Sequence, residues 1–241
     1  MIINNSYGFI FVHVPKTAGT SVTSVLSRLT SYLDQEVGGT EFGEAVQPAF
    51  SKRFGLKKHS TALEIKGVVG DVTWNRYFSF SFVRNPFSRC LSTYYFLREW
   101  KGAGPDFQRD MQAFRNFEDF VLSGMWNDTN GPDDIFQPQV HWLKGRAREN
   151  NNMLDFVGRV ENLNDDLKYC LHVVGDRKIS GEFQEAPILN TSPNARKRGA
   201  ISDRATAQIL RKYEIDFRTF GYSTEVGESE AAGPLSLVAG G

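Results

Sequence analysis

The chain has 241 residues, 40% of them hydrophobic and 23% charged, and its 28 basic side chains balance its 28 acidic ones. That balance leaves no global field to draw in nucleic acid or an anionic membrane, so any anion site has to be local. No run approaches the ~18 apolar residues that span a bilayer, and Cys90 and Cys170 give neither metal-ligand spacing nor a disulfide framework.

The N-terminal MIINNSYGFIFVHV has no basic leader and no small-residue cleavage site, which predicts a buried strand and not a signal peptide. Residues 7–14, YGFIFVHV, form the first strand by their aromatic and β-branched content. HVPKTAGTS (13–21) is a turn, and Gly19 and Thr20 lead into a helix with Val22, Val25, Leu26 and Leu29 at helical spacing. Residues 34–58, rich in Gly, Pro and charge, read as a long irregular loop, and 60–75 as a helix carrying Ala62, Leu63, Ile65 and Val69.

RYFSFSFVR (76–84) is the clearest second strand, ending at Arg84. Asn85 and Pro86 then start a helix as N-cap and first helical residue, with Leu91, Tyr94, Tyr95 and Leu97 along it. Residues 101–112 read as a loop, 116–125 as a short helix and 153–161 as a third strand. Asn164, followed by Asp165 and Asp166, is expected to cap a helix through about Val174. After the basic loop SPNARKRG (192–199), Ser202 and Asp203 open a last helix toward Lys212. This alternation predicts an α/β, three-layer, P-loop-like fold: a central parallel sheet flanked by helices. A single domain is expected over 1–223, with a disordered tail at 224–241.

Ligands of such sheets collect beyond the carboxyl ends of the strands, where Lys16 follows the first strand and Arg84 the second. A phosphate cradle needs N–H groups at a helix start, close backbone approach and a cation. Gly19 offers close approach, Thr20 and Ser21 offer hydroxyls and N–H groups, and Lys16 offers charge. The Walker A order is absent, because this lysine precedes the glycine by three residues. Arg84, with Ser88 and Ser92 four apart on the following helix, can hold a second phosphate. Two anion sites at one sheet edge suit a nucleotide phosphorylated at two places.

HVPKTAGTS taken with FVRNPFSRCLSTYYFL resembles the sulfotransferases that use 3′-phosphoadenosine 5′-phosphosulfate (PAPS), in the branch that contains the heparan and chondroitin O-sulfotransferases. GRVENLNDDL (158–167), LNTS (189–192) and YEIDFRTFGYS (213–223) extend the likeness, and YYFLRE is similar to the uronosyl 2-O-sulfotransferases. The resemblance implies that Lys16, Thr17, Ala18, Gly19, Thr20 and Ser21 bind the 5′-phosphosulfate. It implies that Arg84 and Ser92 bind the 3′-phosphate, and that Arg196, Lys197 and Arg198 close over it. It further implies PAPS as co-substrate, with PAP (adenosine 3′,5′-bisphosphate) as product, no required metal, and a hydroxyl acceptor on a carbohydrate. With no anchor segment in view, a cytoplasmic enzyme of bacterial type is expected.

The acceptor hydroxyl needs a base. His59, in KKHSTALE, lies 25 residues ahead of Arg84, where the resembling enzymes carry their catalytic histidine; a surface histidine in a basic loop is the plain alternative. Glu64 is the second choice. His13 belongs to the strand, as core or beside the nucleotide, and His172 reads as structural. His141 could line an acceptor cleft with Trp142 as a sugar platform, or both could be core. KRFGLKK (52–58) could face an anionic acceptor or simply be solvated. The competing functions are a P-loop-type small-molecule kinase and a nucleotide-binding module without turnover.

Overall fold

A computed structural model of the chain describes residues 1–100, 102, 104–128, 131–144, 154–175, 181, 183, 185–187, 189 and 201–225. The path begins with β1 (Ile2–Asn4), β2 (Phe9–Val12), α1 (Gly19–Leu26), β3 (Gln35–Glu36), α2 (Glu41–Phe54), α3 (Ala62–Arg76) and β4 (Phe78–Val83). It continues through α4 (Pro86–Glu99), α5 (Pro105–Ala113), α6 (Phe117–Ser123), α7 (Met125–Asp128) and α8 (Val140–Leu143). β5 (Phe156–Arg159), α9 (Leu163–Val173), α10 (Asp203–Lys212) and α11 (Glu214–Phe220) follow. The chain packs as two compact units. The first takes in Met1–Val83 and Gln139–Leu189, and the second Arg84–Pro138 together with 201–225.

The first unit is built on a five-stranded sheet of order β3-β1-β2-β4-β5. β2, β4 and β5 run parallel, as the alternation of strands and helices requires. The parallel centre is the one expected, and at its edge β1 pairs antiparallel with β2 and with β3. Three residues of strand are too few to show a period, so Ile2–Asn4 reads from sequence only as the prelude to β2.

Alternation in FIFV and FSFSFV sends every second residue to one face. Register places Phe9 beside Phe78, Phe11 beside Phe80, and Phe80 beside Phe156, forming an aromatic layer across three strands. Val22, Val25 and Leu26 of α1 and Leu167, Cys170 and Leu171 of α9 bury that layer. Each such side chain stabilises the fold by about 1.5–3 kcal/mol on burial. The intervening serines are buried too, and their hydroxyls are satisfied: Ser81 Oγ donates to Val12 O at 2.7 Å and Ser79 Oγ to Asp155 Oδ2 at 2.8 Å. Helix α3 packs against β4 and α8.

Two expected loops are helical. Residues 41–54 form α2 because its ends are well written: the Thr40 side chain caps Gly43 N, Glu41 and Glu44 occupy the first turn, and Gly55 closes the helix at φ 71°. Its interior gives no amphipathic signal, since only Gly43 is buried. In 101–112, Pro105 is a helix start and not a loop mark, standing in the first turn of α5.

Helix α9 starts at Leu163 with Asn162 in the N-cap position. Asn164 is therefore not the cap; its Oδ1 accepts from Ala186 N at 2.9 Å instead. Ser202 does cap α10, accepting from Ala205 N.

In the second unit α4 packs with α5, α6 and α10. Its Arg89 is buried, donating through Nη1 to Gln137 O and through Nη2 to Ile135 O, each at 3.0 Å. The guanidinium lies 5.9 Å from the centre of the Tyr213 ring. Such donation to carbonyls and an aromatic face is what makes a buried charge tolerable.

Candidate anion site and base

The turn after β2 carries two left-handed residues that are not glycine: Lys16 at φ 66° and Ala18 at φ 57°, while Thr17 and Gly19 are not left-handed. Each left-handed non-glycine residue costs about 1–2 kcal/mol. Alternation of hand along a turn is the backbone pattern found in anion-binding nests. Ala18 then occupies the N-cap position of α1, where its side chain makes no cap, and no acidic residue lies in the first turn. The helix start thus has neither a side-chain cap nor a carboxylate to satisfy its first N–H groups. Lys16 is half-buried in the same turn.

The small residues divide their labour. Thr17 is buried, and its hydroxyl donates to Val14 O at 3.0 Å, tying the turn to the strand end. Ser21 Oγ accepts from Leu189 N at 3.2 Å, which docks the start of the LNTS element on α1. Thr20 remains half-buried at the second helical position. Gly19 is required for a reason the sequence did not show: a β-carbon there would lie 1.9 Å from His13 Nε2. The close approach is made by a histidine ring of the same chain.

His59, in the segment between α2 and α3, directs Nδ1 at the carbonyl oxygen of His13, 2.8 Å away. A carbonyl only accepts, so Nδ1 carries the proton and Nε2 presents its lone pair. The two rings meet edge to face, 4.6 Å between centres. Burial pushes the His59 imidazole down to about 3, against the raising effect of the His13 carbonyl, and Lys58 lowers it further. His13 is also held well below the usual histidine range, by burial first and then by His59 and the nearby cations, among them Lys58 and Lys16. Both imidazoles are neutral at neutral pH, so Nε2 of His59 is unprotonated, while a value this low makes it a weak base in the absence of ligand. Trp142 Nε1 donates to His59 O at 2.9 Å and fixes the segment.

The other candidates fall into place around this pair. Glu64 completes a capping box, with its carboxylate accepting from Thr61 N at 2.7 Å while Thr61 Oγ1 accepts from Glu64 N at 3.2 Å. Trp142 is buried, which makes it core and not a sugar platform, whereas His141 beside it is exposed. His172 lies exposed in the last turn of α9. Within KRFGLKK, Lys58 is engaged by Glu44 at 2.8 Å, while Lys52, Arg53 and Lys57 are exposed. Arg159 is buried at the end of β5, and its backbone N–H donates to Asp166 Oδ2 at 2.6 Å.

In the second unit Arg84 is half-buried ahead of α4. Asn85 caps this helix, accepting from Phe87 N at 3.0 Å and Ser88 N at 3.3 Å. Ser88 and Ser92 are half-buried one turn apart. Arg196, Lys197 and Arg198 lie outside the described residues, as does the expected tail apart from Thr224 and Glu225.

A mixed sheet with a parallel centre, flanking helices and a turn of alternating hand after its second strand defines an α/β fold of the kind whose ligands collect beyond the carboxyl ends of the strands. Residues 1–223 match the model of the Sulfotransferase family, and the chain belongs to that family. No curated protein and no solved structure matches it. Family membership makes it a sulfotransferase, an enzyme of sulfuryl transfer. Among the described residues no helix is long and apolar enough to cross a membrane.

Proposed function

We propose that the protein transfers a sulfuryl group from PAPS to a hydroxyl of a carbohydrate acceptor in the cytoplasm, with His59 as base and Lys16 at the leaving group. The observation that carries this reading is the pairing of two features on one histidine. His13 touches Gly19, at the start of the helix that the nest leads into, and holds His59 with Nε2 unprotonated. These contacts support a reading in which the turn holds the anion and His59 is the base beside it.

In the proposed reaction, Nε2 of His59 takes the acceptor's hydroxyl proton as that oxygen bonds to sulfur. The bond from sulfur to the bridging oxygen breaks, and its electron pair leaves on the 5′-phosphate. The Lys16 ammonium and the N–H groups of the turn stabilise that charge. Little covalent help is needed, as in phosphoryl transfer. Arg84 and Ser92, with Arg196, Lys197 and Arg198, bind the 3′-phosphate in this reading, on the strength of the resemblance. The kinase alternative lacks the lysine position of a Walker A loop.

Calorimetry with adenosine 3′,5′-bisphosphate and adenosine 5′-monophosphate tests the donor. The bisphosphate binds at least about tenfold more tightly, and Arg84→Ala removes that preference. Equal affinity for the two nucleotides, or tighter binding of ATP, contradicts a PAPS-type donor.

A further inference from the structure

His13 is 3% exposed and enclosed by its neighbours. Phe11 stacks on its ring at 5.7 Å, His59 meets it edge to face at 4.6 Å, and Gly19 lies against its Nε2–Cδ2 edge. Its Nδ1 is buried with no hydrogen-bond partner among the described residues. The same strand shows what packing alone selects at alternate positions, namely Phe9 and Phe11. A phenylalanine at 13 would remove the orphaned nitrogen, whose burial costs about 1–3 kcal/mol, but its wider ring would press on Gly19. The buried nitrogen is a cost that an apolar side chain would not carry.

We infer that the His13 ring is a positioning group for the transfer reaction, a polar neighbour to the charge His59 gains with the acceptor's proton, while the backbone carbonyl that fixes the His59 tautomer is kept by any residue at 13. The inference rests on His59 being the base. A new imidazolium on the half-buried His59 finds a weaker dipole in a neighbouring phenyl ring than in a neutral imidazole, which is already in place. Contact with Gly19 sets the position of that ring from the anion-holding side.

The test compares the parent with His13→Phe and His13→Asn, reading kcat, bisphosphate affinity and melting temperature. His13→Phe lowers kcat at least about tenfold and leaves bisphosphate affinity within about threefold. His13→Asn, which returns a polar atom near the Nδ1 position, recovers part of the lost kcat while melting lower. A purely structural histidine gives the reverse: parental turnover for Phe, and turnover falling with stability for Asn. That result overturns the inference while leaving sulfuryl transfer by the parent intact. A parent that transfers no sulfuryl group sinks both the sulfotransferase reading and this one.

Discussion

The Nδ1–H of His59 donates to the carbonyl oxygen of His13 across 46 residues of sequence. This one bond leaves Nε2 of His59 as an acceptor, and the residue that receives it also abuts the helix start after the nest. His59→Gln, which cannot take up a proton, should therefore lower kcat by about 100- to 10,000-fold. Bisphosphate affinity should stay close to parental, as measured by calorimetry.

Lys16 stands in a left-handed conformation that a lysine adopts only at a cost. Lys16→Ala should slow transfer by about 100- to 1,000-fold, the usual loss for one charge-stabilising donor. Single-turnover measurement separates this from any weakening of donor binding.

Gly19 has no room for a side chain, because a β-carbon would fall 1.9 Å from His13 Nε2. Gly19→Ala should weaken bisphosphate binding and lower Tm together. In Gly19→Ala/His13→Ala the ring is gone and the new methyl has space, so bisphosphate affinity should partly return. A double variant no better than Gly19→Ala would show that the contact is not what demands glycine.

Glu64 is committed to capping α3 through Thr61. Glu64→Ala should leave turnover within about twofold while lowering stability by about 0.5–1 kcal/mol, read from urea unfolding. Loss of turnover without loss of stability would return the carboxylate to the list of bases.

Folded-state values of His13 and His59 lie below that of an unfolded histidine, by burial above all. Below about pH 6.5 the unfolded chain takes up protons that the folded chain refuses, so stability falls as pH drops toward about 3. Each group contributes a slope of up to about 1.4 kcal/mol per pH unit in that window. Urea midpoints at about pH 7 and about pH 5 should differ less in His13→Phe than in the parent.

Much of this arrangement is legible in the chain. The Phe/Ser alternation of β4, the Asn85–Pro86 helix start and the lysine-before-glycine turn all declare themselves locally. What stayed hidden depends on partners distant in sequence. α2 has clear ends but buries almost nothing along its length, so periodicity could not reveal it. Antiparallel β1 is three residues long. The contact of Gly19 with the His13 ring joins residues that no local pattern pairs, whereas STALE spells the capping box of Thr61 and Glu64. Trp142 could be placed as core only through its bond to His59, 83 residues away.

The central claim is that this site moves a sulfuryl group from PAPS. Incubation with radiosulfate-labelled PAPS and a panel of sugar acceptors, beside γ-labelled ATP, tests it most directly. The account predicts label transfer from PAPS that depends on Lys16 and His59, with none from ATP. Transfer from ATP, or binding of PAPS with no transfer to any hydroxyl, would contradict it.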